Sequence, residues 1–259
     1  MSSKHKQSLR SKDLKYKALI LDVDGTLMNG RYATPSKRVI RAIYKASKIL
    51  HVGLATSRPI FDLKNIFTHL KLSGPSIISG GCEIVDYKTK KVLWEKTMLQ
   101  KDIKSVLKIA KPFNLQLFIL EGDKDFLLTD SYVPKRPLHL WAPNLEESVA
   151  DDFITKVSHI PTISTHKLVS WKEAKADILV THSQATKQHG ILEIAKILGI
   201  KTHEIIGVGD GYNDFPLLMA CGLKVAMGNA VPDLKAIADY IAPTVEEDGV
   251  ADVIERFVL

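Results

Sequence analysis

The chain has 259 residues, 45% of them hydrophobic and 25% charged, with two cysteines and a formal charge of +7. Those fractions exclude a disordered or collagen-like chain, and the length is enough for one large domain or two modest ones with a real core. Cys82 and Cys221 cannot form a disulfide framework, no CxxC or His/Cys cluster points to zinc, and no apolar run approaches the roughly 18 residues that cross a bilayer.

A reducing, cytoplasmic setting without a membrane partner is therefore expected, and the start MSSKHKQSLR lacks the apolar stretch of a secretory signal. The charge is unevenly spread. Residues 1–17 hold Lys4, Lys6, Arg10, Lys12, Lys15 and Lys17 against Asp13, which is +5 of the +7. This predicts a flexible basic tail over residues 1–16 and argues against a nucleic-acid partner for the body.

In chain order, residues 17–21 read as a buried strand. Residues 36–49 read as a helix, with Val39, Ile40, Ile43 and Ala46 at helical spacing. Residues 51–55 form a second strand, 59–70 a helix opened by proline, and 76–79 a third strand. Strands separated by helices predict a parallel α/β sheet. After Gly80-Gly81 the pattern changes. Residues 83–87 and 92–96 predict a hairpin, followed by a helix at 101–110 and strands at 115–120 and 126–129. A bend rich in proline (Pro134, Pro137, Pro143) comes next, then a helix at 146–157 and strands at 163–170 and 178–181. From Thr186 the alternation resumes, with helices at 190–198, 213–220 and 233–238 and strands at 204–208 and 224–226. The expected architecture is a parallel α/β core over residues 17–82 and 186–259, interrupted by an inserted α+β domain over residues 83–185.

Asp22-Val23-Asp24-Gly25-Thr26-Leu27 follows the first strand directly. Two carboxylates two residues apart can approach one point there, because Gly25 lets the backbone turn sharply. Ligand sites in open α/β sheets lie at such strand ends. A solvated turn would explain one Asp and the Gly, not the whole run. Gly209-Asp210-Gly211-Tyr212-Asn213-Asp214 repeats the arrangement after the strand at 204–208, although alone it could be a helix cap. Acids converging from different strands repel unless a cation joins them. Hard oxygen donors favour Mg²⁺ over zinc or copper.

DVDGTL (22–27) and GDGYND (209–214), with VAMGNA (225–230), resemble the haloacid dehalogenase (HAD) superfamily and look most like its Cof-type sugar-phosphatase-like branch. The resemblance implies a HAD-like Rossmannoid core with a parallel sheet, and a cap inserted over the active site. It implies that Thr56, in LATSRP (54–59), supplies a hydroxyl at the end of the second strand, with Ser57 standing where the branch has glycine. Lys187, in TKQHG (186–190), matches the lysine that precedes the helix after the insert. Asp22, Asp210 and the backbone carbonyl of Asp24 would hold Mg²⁺, while Thr56, Ser57, Lys187 and Asn213 would bind phosphate. Asp22 would attack phosphorus to form an aspartyl-phosphate, and Asp24 would protonate the leaving oxygen and then activate water. Asp214 would orient Lys187 or bind the metal.

The expected function is a Mg²⁺-dependent phosphatase, a phosphomonoester hydrolase acting on a small phosphorylated metabolite such as a sugar phosphate or phosphorylated cofactor. A sugar phosphomutase shares the nucleophile and is the nearest alternative. A non-catalytic metabolite-binding protein and a nucleic-acid-binding module are further ones. Arg58 reads either as a partner for a substrate anion or as a cap on the second strand. Trp94, Trp141 and Trp171 are expected to pack the insert, Glu246-Glu247-Asp248 to form a solvated loop and helix start, and Glu121-Gly122-Asp123 is a candidate specificity turn. The oligomeric state is left open.

Overall fold

The structure is a computed structural model that describes residues 14–30, 33–170 and 172–259; most of the basic leader, and Trp171, lie outside them. Strand β1 (Ala18–Leu21) is buried at every position, as a strand sandwiched in a parallel sheet must be. Helix α1 (Lys37–Ala46) is capped by Ser36, whose hydroxyl accepts from the Val39 amide at 3.1 Å. After β2 (His51–Leu54), residues Ile60–Leu63 form a 3₁₀ turn that runs into α2 (Lys64–Leu70).

Strand β3 (Pro75–Ile78) does not extend the parallel sheet as the alternating pattern predicts. It meets the β2 side at a single bridge, Ala55 to Ile77, and pairs antiparallel with β4 (Glu83–Asp86), which pairs with β5 (Lys91–Glu95). The reason lies in the ladder groups. Pro75 has no amide to give, the Ser76 hydroxyl takes the Leu54 amide at 3.1 Å, and the His51 ring bonds the Pro75 carbonyl at 2.9 Å.

The next elements are α3 (Gln100–Ala110), β6 (Phe118–Glu121), β7 (Lys124–Leu127), β8 (Pro137–Leu145), α4 (Glu147–Val157), β9 (Ile163–Val169) and β10 (Ala176–His182). Their strands make one antiparallel sheet in the order β7-β6-β8-β10-β9. β8, its central strand, occupies the stretch where the prolines predict a bend. Pro137 is the strand's first residue, beside a register shift against β6, and Pro143 falls in the shift against β10. Both prolines thus sit where no ladder amide is required. Alternation then divides the sheet. Ile119, Leu140, Ala142, Ile178 and Val180 pack with Val106 and Phe153 of α3 and α4 in one hydrophobic cluster. Their neighbours Leu120, His139, Trp141 and Leu179 line a cavity shared with the core.

The chain returns through α5 (Lys187–Leu198), β11 (Ile205–Gly209), a 3₁₀ turn at Tyr212–Asp214, α6 (Phe215–Ala220), β12 (Leu223–Ala226), α7 (Pro232–Ile237), β13 (Tyr240–Ile241) and α8 (Gly249–Phe257). The core sheet is wholly parallel, in the order β13-β12-β11-β1-β2. The chain therefore leaves β1 in opposite directions, which opens a crevice at its carboxyl end. The two segments joining core and cap touch: a Cβ on Gly81, at φ +109°, would lie 2.4 Å from the Thr186 carbonyl carbon. Among the described residues no helix is long and apolar enough to cross a membrane.

His139 and His166 are buried under the cap sheet, and burial pushes both pKa values down to about 4, from 6.5. His139 is lowered further by His166, against a supporting hydrogen bond to the Ser79 backbone, and His166 by the Lys187 ammonium. Both rings are neutral in the fold at pH 7, so stability is complete above pH 6.5 and drains as pH falls towards 4. The loss is on the order of 3 kcal/mol per histidine by the lower limit. Denaturant titrations between pH 7 and pH 4 check this; His166→Gln should flatten the dependence, and an unchanged slope would refute it.

Candidate active site

The strand ends do the assembling. β1 stops at Leu21, and the Asp22 amide still bonds the Val208 carbonyl of β11 at 2.9 Å, so Asp22 stands where the two strands finish. Lys187 is the first residue of α5 and only 2% exposed. Its Nζ lies 2.5 Å from Asp22 Oδ1 and 2.5 Å from Asp214 Oδ1. Asp214 Oδ2 accepts from the amides of Asp210 at 2.9 Å and Gly211 at 3.0 Å. Both oxygens of Asp214 are thus taken up in holding the lysine and in shaping the GDGYND corner. Asp210 Oδ1 accepts from the Thr26 hydroxyl at 2.7 Å. The two acidic runs touch at Gly25, where a Cβ, at φ +83°, would lie 2.1 Å from Asp210 Oδ2. Glycine is needed there for conformation and for room.

Asp22, Asp210 and Asp214 each offer an oxygen within 4.8 Å of the others. One ammonium among three carboxylates leaves the cluster short of positive charge. Burial, then the Asp214 charge, push the Asp22 carboxyl well above the usual range and Asp210 up to about 7. Burial alone would lower Lys187, but Asp214 and Asp22 more than offset it and hold the ammonium charged. The donors are hard oxygens without sulfur or imidazole, a set that fits a divalent cation such as Mg²⁺.

Asp24 has turned aside. Its Oδ2 accepts from Arg58 Nε at 2.9 Å and its Oδ1 from Arg58 Nη2 at 2.5 Å. That bidentate pair is the geometry arginine favours with carboxylates. Thr56 is buried, and its hydroxyl accepts from the Arg58 amide at 3.1 Å. Ser57 Oγ accepts from Asn213 Nδ2 at 3.4 Å, which joins the β2 and β11 corners. A cavity of about 330 Å³ opens over these groups, with Asp22, Asp24, Ser57, Asp210 and Asn213 in its wall. Lys187 and Thr56 lie behind that surface.

Arg58, read either as a partner for a substrate anion or as a cap on β2, grips Asp24 and lines the cavity. Trp141 packs in the insert against Phe118, as expected, and also lines the cavity, while Trp94 packs against the larger core cluster. Glu121 ties down the segment between β7 and β8, accepting from the Tyr132 hydroxyl and the Lys135 and Arg136 amides, and does not line the cavity. Asn229, inside the VAMGNA run, donates to the Gly25 carbonyl at 2.8 Å and accepts from the Val245 amide at 3.0 Å. Glu246 lies in the exposed turn before α8, as expected, and there accepts from Asn29 at 2.7 Å and lines the cavity with it. The 225–230 run pointed to Asn229; no local pattern pointed to Asn29 or Glu246, which only the fold brings together.

The profile of the haloacid dehalogenase-like hydrolases matches residues 19–169 and 145–254, which takes in both acidic corners and the cap between them. The chain belongs to the haloacid dehalogenase-like hydrolase family. Within it, this HAD hydrolase is a Cof-type phosphatase. It is 27% identical to 5-amino-6-(5-phospho-D-ribitylamino)uracil phosphatase YcsE of Bacillus subtilis, over 97% of this chain and 100% of that one. It is 26% identical to phosphoglycolate phosphatase 1 of Saccharolobus solfataricus, over 93% of this chain and 96% of that one. Among solved structures, the HAD subclass IIB sugar phosphatase BT4131 superposes with a TM-score of 0.79 at 25% identity, covering 93% of this chain and 98% of that one.

Proposed function

We propose that this HAD phosphatase is Mg²⁺-dependent and hydrolyses a small phosphorylated metabolite, a sugar phosphate or a phosphorylated cofactor, through an aspartyl-phosphate on Asp22. One observation carries the reading: the buried Lys187 ammonium bridges Asp22 and Asp214 beside Asp210, directly behind the cavity wall that Asp22 and Asp210 line. A phosphomonoester carries about two negative charges near neutral pH, and a carboxylate approaches it only where positive charge is already in place. Asp22, Asp210 and the Asp24 carbonyl would hold Mg²⁺, which supplies the charge that lets an anionic nucleophile meet an anionic substrate.

The chain's own groups do the rest. Lys187 holds Asp22 in one orientation. Thr56, Ser57 and Asn213, gathered at the β2 and β11 corners, offer hydrogen bonds to phosphoryl oxygens. An Asp22 oxygen bonds to phosphorus as the ester oxygen departs, and Asp24 gives that oxygen a proton. Asp24 then takes a proton from water, the water oxygen attacks phosphorus, and inorganic phosphate leaves with Asp22 restored. Asp24 must part from Arg58 to do this, so the guanidinium exchanges partners during turnover.

A phosphate-release screen over sugar phosphates and phosphorylated cofactors tests the proposal. Release is expected with Mg²⁺ and its loss with excess EDTA; undiminished release without divalent metal would refute the metal assignment. Asp24→Asn should slow turnover by about 10²–10⁴-fold on alkyl phosphates. Aryl phosphates, whose leaving groups need no proton, should suffer least, and an equal loss on both would remove Asp24 from the acid role.

A further inference from the structure

We propose that the turn Ser79–Gly81 is a positioning element, through which the seat of the cap sets the Thr56–Arg58 loop that binds phosphate. This rests on the phosphatase reading and adds to it the residues that place its loop. Three observations on the turn lead to it.

First, the turn is held in an unfavourable conformation. Ser79, Gly80 and Gly81 follow one another at φ +53°, +73° and +109°, and all three are buried. Glycine adopts such angles readily, but serine does not. A residue of that kind persists in the left-handed region only where its surroundings fix it, and such places gather at working sites. Here the Ser79 hydroxyl donates to Glu83 Oε2 at 3.1 Å, which ties the turn to β4.

Second, the backbone of the turn holds the phosphate loop. The Gly80 amide donates to the Thr56 carbonyl at 3.0 Å, and the Ser79 amide to the Arg58 carbonyl at 2.9 Å. Just before the turn, the Ile77 carbonyl accepts from the Thr56 amide at 3.0 Å. Thr56 is thus gripped at both of its backbone groups, and Arg58 is the residue that holds Asp24.

Third, the cap rests on the same residues. A Cβ on Gly80 would lie 2.3 Å from Leu179 Cδ2 and 3.6 Å from Thr181 Cγ2, both on β10. One residue further on, the Cys82 thiol donates to the Leu138 carbonyl of β8 at 3.2 Å. At Gly80 no side chain stands between cap and loop, so they meet through the peptide groups of the turn. Close-packed groups transmit displacement. A shift of the cap on this seat therefore moves the groups from which Thr56, Ser57 and Arg58 hang.

The test reads inhibition of p-nitrophenyl phosphate hydrolysis by inorganic phosphate, with Mg²⁺. The inhibitor is small against a cavity of about 330 Å³ and has no leaving group for the cap wall to touch. Gly80→Ala, whose methyl collides with Leu179, should raise the phosphate inhibition constant about tenfold, the worth of one hydrogen bond to a charged group. Leu179→Ala alone should change it less than about twofold, and adding it to Gly80→Ala should restore the constant to within about twofold of Leu179→Ala. The collision is then gone, while the strain of alanine at φ +73° remains. Leu179→Phe crowds the seat from the cap side and leaves the sequence of the turn intact, so it should raise the constant in the same direction. It decides the matter if Gly80→Ala does not fold. An unchanged constant in folded Gly80→Ala or in Leu179→Phe, or a loss that Leu179→Ala does not repair, would overturn this assignment alone. A parent protein that releases no phosphate from the ester would overturn the phosphatase reading and this assignment with it.

Discussion

An Asp22→Asn protein is expected to release phosphate at least about 10⁴-fold more slowly than the parent, the scale on which removing a nucleophile acts. The amide is isosteric but cannot form the acyl phosphate, and it takes one charge from the metal site. The fold should not suffer. Asp22 is one of three carboxylates crowded around one ammonium, and its folded form resists ionisation because of burial and Asp214. Losing that charge relieves repulsion, while Lys187 keeps Asp214. In the absence of Mg²⁺ the variant should therefore melt no lower than the parent, and added Mg²⁺ should raise its melting temperature less. Steady-state phosphate release and melts with and without Mg²⁺ measure both. Parent-like activity would remove Asp22 from the nucleophile role; a lower melting temperature without metal would contradict the charge balance.

Lys187→Met should act in the opposite sense on stability. It leaves Asp22 and Asp214 buried and facing each other with no cation between them. Breaking a buried ion pair from one side costs about 3–5 kcal/mol, which for a chain of this size lowers the melting temperature by about 10 °C. Turnover should fall below detection, since Asp22 loses its orienting partner and the phosphate loses a point charge. Mg²⁺ should restore part of the lost stability because it returns positive charge to the same carboxylates. A variant as stable as the parent in metal-free buffer would show that the bridge adds nothing to the fold.

These two variants concern residues that were readable before any fold was known, for a physical reason. Asp22 and Asp210 follow short apolar strands directly, so a single pattern of hydrophobic run, acid and glycine marks the strand end and the site together. Lys187 was less plain, because Gln188 and His189 separate it from Gly190, where the helix was expected to start; α5 begins at Lys187 itself, capped by Thr186. What stayed hidden has causes too. β8 was masked by Pro137 and Pro143, whose missing amides fall where the ladder shifts register. The expected place of β3 in the parallel sheet failed because Ser76 and the Pro75 carbonyl bond β2 residues through side chains. Asn29 and Glu246 stand 217 positions apart, and no local periodicity encodes a contact of that range. Arg58 could be placed beside the site from its position, but its grip on Asp24 depends on how two strand-end loops meet.

The strand order also bears on synthesis from the ribosome. β1 gains its first neighbour, β2, within a few dozen residues, but its other neighbour, β11, is not made until Ile205–Gly209. Between them lies an antiparallel sheet whose strands, Phe118–Glu121 to Ala176–His182, pair over far shorter separations. Local pairings close early, and distant parallel ones close late. The lid is thus complete in the nascent chain while β1 of the catalytic half still has a bare edge. That edge is an aggregation hazard for as long as translation of the last third lasts. Asp22, Lys187 and Asp214 come from segments on both sides of the cap, so the site can assemble only after the last third of the chain has been made.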